Sequence, residues 1–168
     1  FRLPIDIEIG TETSAIRKRI WMDQSQVKLQ VDLESPPLWV ALDPDAGLLA
    51  ELKTKQSLDM WMAQLQSKSP NARFEAIHQL GEQTAKDHSV NALIAIMSDE
   101  TEDIEYRLAA IRALGALSTE TGNQALGENL LSAESARLRQ QAAGALGRGD
   151  GSGKSRKSLS NALKKETN

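Results

Sequence analysis

Three stretches of this chain share one pattern: ARFEAIHQLG at residues 72–81, YRLAAIRALG at 106–115 and LRQQAAGALG at 138–147. The closing glycines of successive copies lie 34 and 32 residues apart. A period in this range is typical of a solenoid, in which each repeat buries its apolar side against its neighbours. We therefore predict stacked helical repeats in the second part of the chain, with a single irregular helical bundle as the alternative.

Each copy is followed by a second apolar segment, so a repeat is predicted to contain two helices; these segments are 92–97, 125–131 and 159–163. Alanines in the middle of each copy allow close helix packing, and Leu and Ile three or four residues apart form a buried seam. Ser69 and Pro70 are typical of a helix start. We predict that the closing glycine of each copy ends its helix in a left-handed conformation.

The first part of the chain alternates apolar and polar residues with a period of two, which indicates β-strands. Four short antiparallel strands are predicted, at residues 3–9, 16–22, 27–33 and 38–42, with Lys18 interrupting the second. The sequence DPDAG at 43–47 indicates a turn, after which helical spacing begins. We predict an α+β chain: a small antiparallel, β-sandwich-like sheet at 1–46, followed by an α-α superhelix of repeats at 47–168.

The predicted sheet needs a second layer over its apolar face, formed by Leu3, Ile5, Ile7 and Ile9. The helices that follow could supply this layer, or strands lost upstream could. The chain opens without Met and directly in a strand pattern, which indicates a piece of a longer protein. An uncovered apolar face of a few hundred Å² rarely stays exposed on a monomer. We therefore expect that the isolated chain either dimerises through the sheet or shows weak hydrogen-exchange protection there.

Composition excludes several classes of function. A formal net charge of −3 gives no global basic field, so no nucleic-acid partner is expected. No apolar run approaches the roughly 18 residues of a membrane-spanning helix, so no membrane partner is expected. The absence of Cys excludes disulfides, thiolate catalysis and Cys-bound zinc, while the compartment stays undetermined.

Motifs that bear chemistry are weak in this chain. The glycine-rich stretch at 147–155 resembles a phosphate-binding loop, but Arg148 stands where that motif requires Gly, so we interpret the stretch as a flexible link. His78 and His88 are the only histidines, and neither belongs to a His-Glu-x-x-His metal motif. We predict no catalytic, cofactor-binding or metal-binding residue.

Three other residue sets have a structural interpretation and a functional one. Arg73, Arg107 and Arg139 recur at one repeat position, where each side chain can pack on the neighbouring repeat and pair with an acidic loop residue such as Asp99 or Glu100; ligand binding is the alternative. The tryptophans are expected to pack where sheet and helices meet, or to form a ligand platform; they are Trp21, Trp39 and Trp61. The basic tail is a solvated face or a binding patch; its members are Lys154, Arg156, Lys157, Lys164 and Lys165.

Four segments follow one another in an order that suggests a family: FRLPI at 1–5, PLWVALDP at 37–44, LLAEL at 48–52 and ARFEAI at 72–77. Their order over residues 1–80 resembles the region after the catalytic domain in the aminopeptidase-N family of zinc metallopeptidases. In that family the LLAEL position is a Leu-rich helix. From Arg107 onward the chain resembles HEAT-like repeats in general, including the short variety found in phycobilisome lyases.

The resemblance implies a non-catalytic C-terminal fragment that supports the catalytic domain of its parent and limits access to the active site. Its partner would be that catalytic domain, and zinc would be bound there, because the zinc motif is absent here. The alternative is a HEAT-like interaction scaffold without peptidase activity, which binds protein or peptide on the concave helical face. A third possibility is an enzyme that resembles the HEAT-like bilin lyases.

Overall fold

The computed structural model describes residues 2–148, 156–157, 159–161 and 164. Within this part the strands are β1 (Leu3–Gly10), β2 (Ala15–Met22) and β3 (Trp39–Leu42), and the helices are α1 (Leu58–Gln64), α2 (Pro70–Glu82), α3 (Asp87–Ser98), α4 (Ile104–Leu117), α5 (Glu120–Ser132) and α6 (Ala136–Arg148). A small antiparallel sheet followed by HEAT-like helical repeats is thus the fold, as predicted. The chain divides into two compact units, Phe1–Ala76 and Ile77–Asn168, and the boundary along the sequence falls inside α2. The domain boundary at 46–47 stays a prediction.

The sheet has three antiparallel strands in the order β2-β1-β3. The fourth predicted strand, at 27–33, is wrong, because this segment follows β2 without joining the sheet. Val31 and Leu33 pack instead against the cluster formed by Ile5, Ile7 and Ile9. The alternation of apolar and polar residues at 27–33 therefore indicates that one side of the segment is buried. An extended loop can bury one side in this way without pairing as a strand.

The apolar face of the sheet is covered within this unit. Ile5, Ile7 and Ile9 expose only 8%, 7% and 6% of their surface, and the loop residues Val31, Leu33 and Leu48 pack over them. Upstream strands are therefore not needed to cover this face, and the argument for self-association through it is wrong. The long β2–β3 connection and the residues after β3 provide the missing layer.

The other face of the sheet packs on helices. Trp39 and Ala41 of β3 form a buried cluster with Ala72 of α2, and Ala63 of α1 packs against it. Trp61 is also buried, whereas Trp21 is 45% exposed with the Arg2 guanidinium 4.9 Å from its ring centre. Two of the three tryptophans therefore pack among sheet and helices, as predicted.

Side-chain amides join β3 to the helices above it. The Val40 main-chain N–H donates to Gln56 Oε1 at 2.8 Å, and Gln56 Nε2 donates to Gln64 Oε1 at 2.7 Å. Gln64, fully buried in α1, donates in turn to the Ala72 carbonyl at 2.8 Å. This relay satisfies polar groups that burial would otherwise leave unpaired, and it gives the free edge of β3 a partner.

The helices of the second unit form two layers. The first helix of each repeat belongs to one layer (the end of α2, then α4 and α6), and the second helix to the other (α3 and α5). Helix α4 packs against α3, α5 and α6, and α5 packs against α3 and α6. The predicted seam is present, since Leu80, Leu114 and Leu146 are buried at equivalent repeat positions. Described residues between 156 and 164 are helical too.

Two of the three closing glycines, Gly81 and Gly115, serve packing rather than helix termination. A Cβ atom on Gly81 would lie 2.8 Å from the Ala113 Cα, and one on Gly115 would lie 2.8 Å from the Ala145 Cβ. Each glycine thus lets the first helices of successive repeats approach closely. The predicted left-handed helix ends are wrong, because α2 and α4 continue beyond these glycines. At the end of α4 it is Ser118 that takes the left-handed conformation, with φ of 49°.

Candidate functional site

Two of the three repeated arginines, Arg107 and Arg139, lie at the ends of second helices. Arg107 Nε donates to the Met97 carbonyl in the last turn of α3 at 3.0 Å. Arg139 Nη1 donates to the carbonyls of Ala133 and Glu134, just after α5, at 2.9 and 2.8 Å. A cation is favourable at a helix C-terminus, where main-chain carbonyls lack partners. In these contacts the arginines hold each repeat's first helix to the helix before it.

The two histidines are placed on separate helices and both are exposed. His78 on α2 lies 3.6 Å from Glu82, and His88 lies at the start of α3. Among the described residues, no group of three or more His, Asp or Glu side chains could hold a metal ion. Residues 149–155 of the predicted link at 147–155 lie outside the described residues, and so do Lys154 and Lys165 of the basic tail. Gly147 and Arg148 belong to α6, and Arg156, Lys157 and Lys164 are exposed.

The most deeply buried charged group belongs to the first unit. Glu8 of β1 is 4% exposed and lies directly opposite Arg17 of β2. Its carboxylate accepts hydrogen bonds from Arg17 Nε at 2.8 Å, Ser67 Oγ at 2.8 Å and Ser69 Oγ at 2.6 Å. The Arg17 guanidinium also pairs with Asp45. These contacts hold the α1–α2 connection on the sheet.

Two opposing effects act on the pKa of Glu8. Burial raises it, whereas hydrogen bonds from Ser69, Ser67 and Arg17 together lower it by more, so the pKa lies below the ordinary Glu value. A carboxylate in this state has no excess basicity at neutral pH, and its oxygens already accept hydrogen bonds from Arg17, Ser67 and Ser69. We therefore interpret the cluster as structural.

We expect Glu8→Gln to destabilise the first unit by about 1.5–3 kcal/mol at neutral pH, the range for hydrogen bonds to a charged group. Because the folded pKa is lowered, the carboxylate's contribution is complete above the unfolded pKa and is lost as pH falls through the folded one. The difference in free energy of unfolding between wild type and variant should therefore narrow below about pH 4.3, the ordinary pKa of Glu.

Urea unfolding of both proteins at a series of pH values measures this difference in free energy of unfolding. Glu12→Gln, an exposed change in the β1–β2 turn, is the matched control and should follow the wild type throughout. A difference that stays constant down to pH values near 2 would contradict the role given to the Glu8 carboxylate.

The strongest candidate surface lies on the layer of second helices. Asn91 and Ala95 of α3 are exposed, and so are Thr121, Gln124 and Glu128 of α5. Their spacings of three, four and seven residues place each set along one stripe of its helix. We call these two stripes the second-helix face.

The opposite sides of the same helices are buried. Val90, Leu93 and Met97 of α3 and Leu126 and Leu130 of α5 expose 6% or less of their surface. Leu93 and Leu126 occupy equivalent positions of successive repeats, 33 residues apart. Packing therefore orients both helices in the same way, and the second-helix face follows from the repeat.

A groove of about 340 Å³ opens at the N-terminal ends of α3 and α5. Its lining is mixed polar and apolar, and consists of Ala85, Lys86, Asp87, Val90, Asn91, Thr119 and Thr121. Because the starts of both helices line one groove, the two helices run in the same direction. Asn91 and Thr121 also belong to the second-helix face, so the groove continues that surface.

Sequence reasoning missed this groove. The prediction of a binding surface on the concave helical face named no residues. Which residues of the second apolar segments would be exposed was not assigned from the sequence. The 33-residue offset between Ala92-Leu93 and Ala125-Leu126 is the signal that could have identified the exposed stripes.

No helix in the described residues is long and apolar enough to cross a membrane.

Comparison with known proteins concerns mainly the helical part. The model of the HEAT-repeat family matches residues 90–168. The solved complex of CpcE and CpcF of phycocyanin lyase from Nostoc sp. PCC7120 is similar at 29% sequence identity and a TM-score of 0.49. That similarity covers 61% of this chain and 40% of the other, so it spans less than half of the other protein's length. No curated protein matches. The chain carries HEAT-like helical repeats.

The resemblance to the aminopeptidase-N family is wrong. The family model that matches is that of HEAT repeats, and the structure departs from what the resemblance implied for residues 1–80. The LLAEL segment at 48–52 is not helical, and the sheet is covered by its own loops rather than by a second sheet. The zinc peptidase parent and its catalytic domain as partner are therefore set aside.

Proposed function

We propose that this protein is a HEAT-like interaction scaffold that binds a protein partner on the second-helix face. The observation that carries the proposal is the pairing of α3 and α5 into one layer with an exposed polar stripe on each helix. Stacked helical repeats use such continuous surfaces for extended contact with partners.

The composition of the face suits protein recognition. Asn91, Thr121 and Gln124 offer hydrogen-bond donors and acceptors, and Ala95 allows close approach of a partner backbone. The groove at the helix starts has room for one or two side chains of a partner, given its volume of about 340 Å³.

Site-specific photo-crosslinking tests the proposal. A benzoylphenylalanine replaces Gln124 in one sample and Arg112, exposed on the first-helix layer, in the other. Irradiation of cells that express each form should give a discrete protein adduct from position 124 and none of the same mass from position 112. Adducts from position 112 alone, or equal adducts from both, would contradict the assigned face.

A further inference from the structure

Over residues 77–148, charge is segregated between the two helix layers of the second unit. The sequence contains no Lys or Arg between Asp87 and Tyr106, or between Ala113 and Ala136. These stretches include α3 and α5 with the turns that follow them. Their acidic residues are Asp87, Asp99, Glu100, Glu102, Asp103, Glu105, Glu120, Glu128 and Glu134.

Within residues 77–148 the basic residues lie almost entirely in the other layer. Arginines occur on α4 and α6, at positions 107, 112, 137, 139 and 148. Of the acidic residues, Glu105 belongs to α4 and pairs there with Arg137. Within this range Lys86, just before α3, is the exception at the edge of the groove. Arg156, Lys157 and Lys164 follow α6 and are exposed as well. Helices α3 and α5, which present the second-helix face, are therefore net acidic.

We propose that the partner segment bound on the second-helix face is basic, rich in Lys and Arg. This inference rests on the proposed function and specifies its partner. Opposite charge across an interface steers encounter and selects among partners, because like charges brought together are costly. Glu128 stands on the face itself, beside Gln124, whose Nε2 donates to Glu128 Oε1 at 3.1 Å. Asp87 lines the groove that continues the face.

The test uses the full chain and a synthetic peptide of alternating Lys and Ala residues, with a Glu–Ala peptide for comparison. Fluorescence anisotropy at several salt concentrations measures affinity, and amide chemical shifts report the contact surface. We expect the Lys–Ala peptide to shift signals of Asn91, Gln124 and Glu128 and to bind more weakly as salt rises. The Glu–Ala peptide should not bind.

Charge-reversed variants decide whether the face is responsible. Glu100→Lys with Glu128→Lys should weaken binding of the Lys–Ala peptide by about tenfold, which corresponds to about 1.4 kcal/mol. Both positions are exposed, and Lys near a helix C-terminus is favourable, so the variant should fold. Glu12→Lys with Glu34→Lys changes the net charge equally in the first unit and should alter affinity less than twofold.

Three results would overturn the inference. One is equal weakening by both double variants, which would indicate net charge rather than this face. Another is a set of shifted signals confined to α4 and α6. The third is binding that occurs only after Lys154, Arg156, Lys157, Lys164 and Lys165 are replaced by Gln, since the chain's own basic segment would then be the occupant.

The proposed function can fail separately. If the adduct formed at position 124 persists unchanged in the Glu100→Lys, Glu128→Lys chain, the face still binds its partner and only the basic character is wrong. If position 124 forms no adduct, the proposed function itself fails.

Discussion

Replacing Leu114 with Ala should lower the free energy of unfolding of the helical unit by about 2–5 kcal/mol, the usual range for a fully buried Leu. Leu114 is 0% exposed in α4, the helix that contacts α3, α5 and α6. Truncation leaves a cavity where three neighbouring helices meet, and these helices cannot all move inward to fill it.

Ile104→Ala provides the matched control for Leu114→Ala. Ile104 is the first residue of the same helix and is 37% exposed, so removal of a side chain of equal size should cost less than about 1 kcal/mol. Chemical denaturation monitored by circular dichroism measures both. Equal losses would show that Leu114 is not at the centre of the seam.

Replacing Gly10 with Ala should destabilise the first unit by about 3 kcal/mol, at the upper end of the range for overpacking. Gly10 lies directly opposite Trp39 in the β1–β3 ladder, and the indole covers its Cα. An added Cβ would lie 2.0 Å from Trp39 Cε2, which is well inside van der Waals contact. Trp39 is 5% exposed, so the ring has no free space into which it can move.

Gly47→Ala is the control for Gly10→Ala, because it makes the same change where the new Cβ would lie 3.5 Å from its nearest neighbour. Its effect should stay below about 0.5 kcal/mol. The double variant Gly10→Ala, Trp39→Leu should lose less than the sum of its single changes, since the clash is shared. If the losses in free energy of unfolding were additive, the destabilisation by Gly10→Ala would not come from a clash with the Trp39 indole.

Periodicity carried most of the fold information. The recurrence of Leu80, Leu114 and Leu146 predicted the buried seam, because a residue repeated at the repeat period meets the same packing environment each time. The alternation of Ile5, Ile7 and Ile9 likewise identified a strand with one buried face. Such patterns are readable from one sequence because burial is nearly periodic within an element.

Glycine roles were less readable. A Gly near the end of an apolar helical pattern is typical of a left-handed cap, and Gly81 and Gly115 match that pattern. The structure instead places each against an alanine of the next repeat. The distinction depends on the distance between two helices more than 30 residues apart in sequence, which local pattern does not contain.

The sequence by itself determined the repeated helical unit, the β1 strand and the absence of basic residues from the stretches that became α3 and α5. Only the tertiary structure decided that a loop would cover the sheet, that Glu8 would be buried among Arg17, Ser67 and Ser69, and that the acidic helices would share one exposed layer. Element type follows from neighbours along the chain, whereas these features depend on groups brought together from distant positions, whose partners are specified only once the chain is packed.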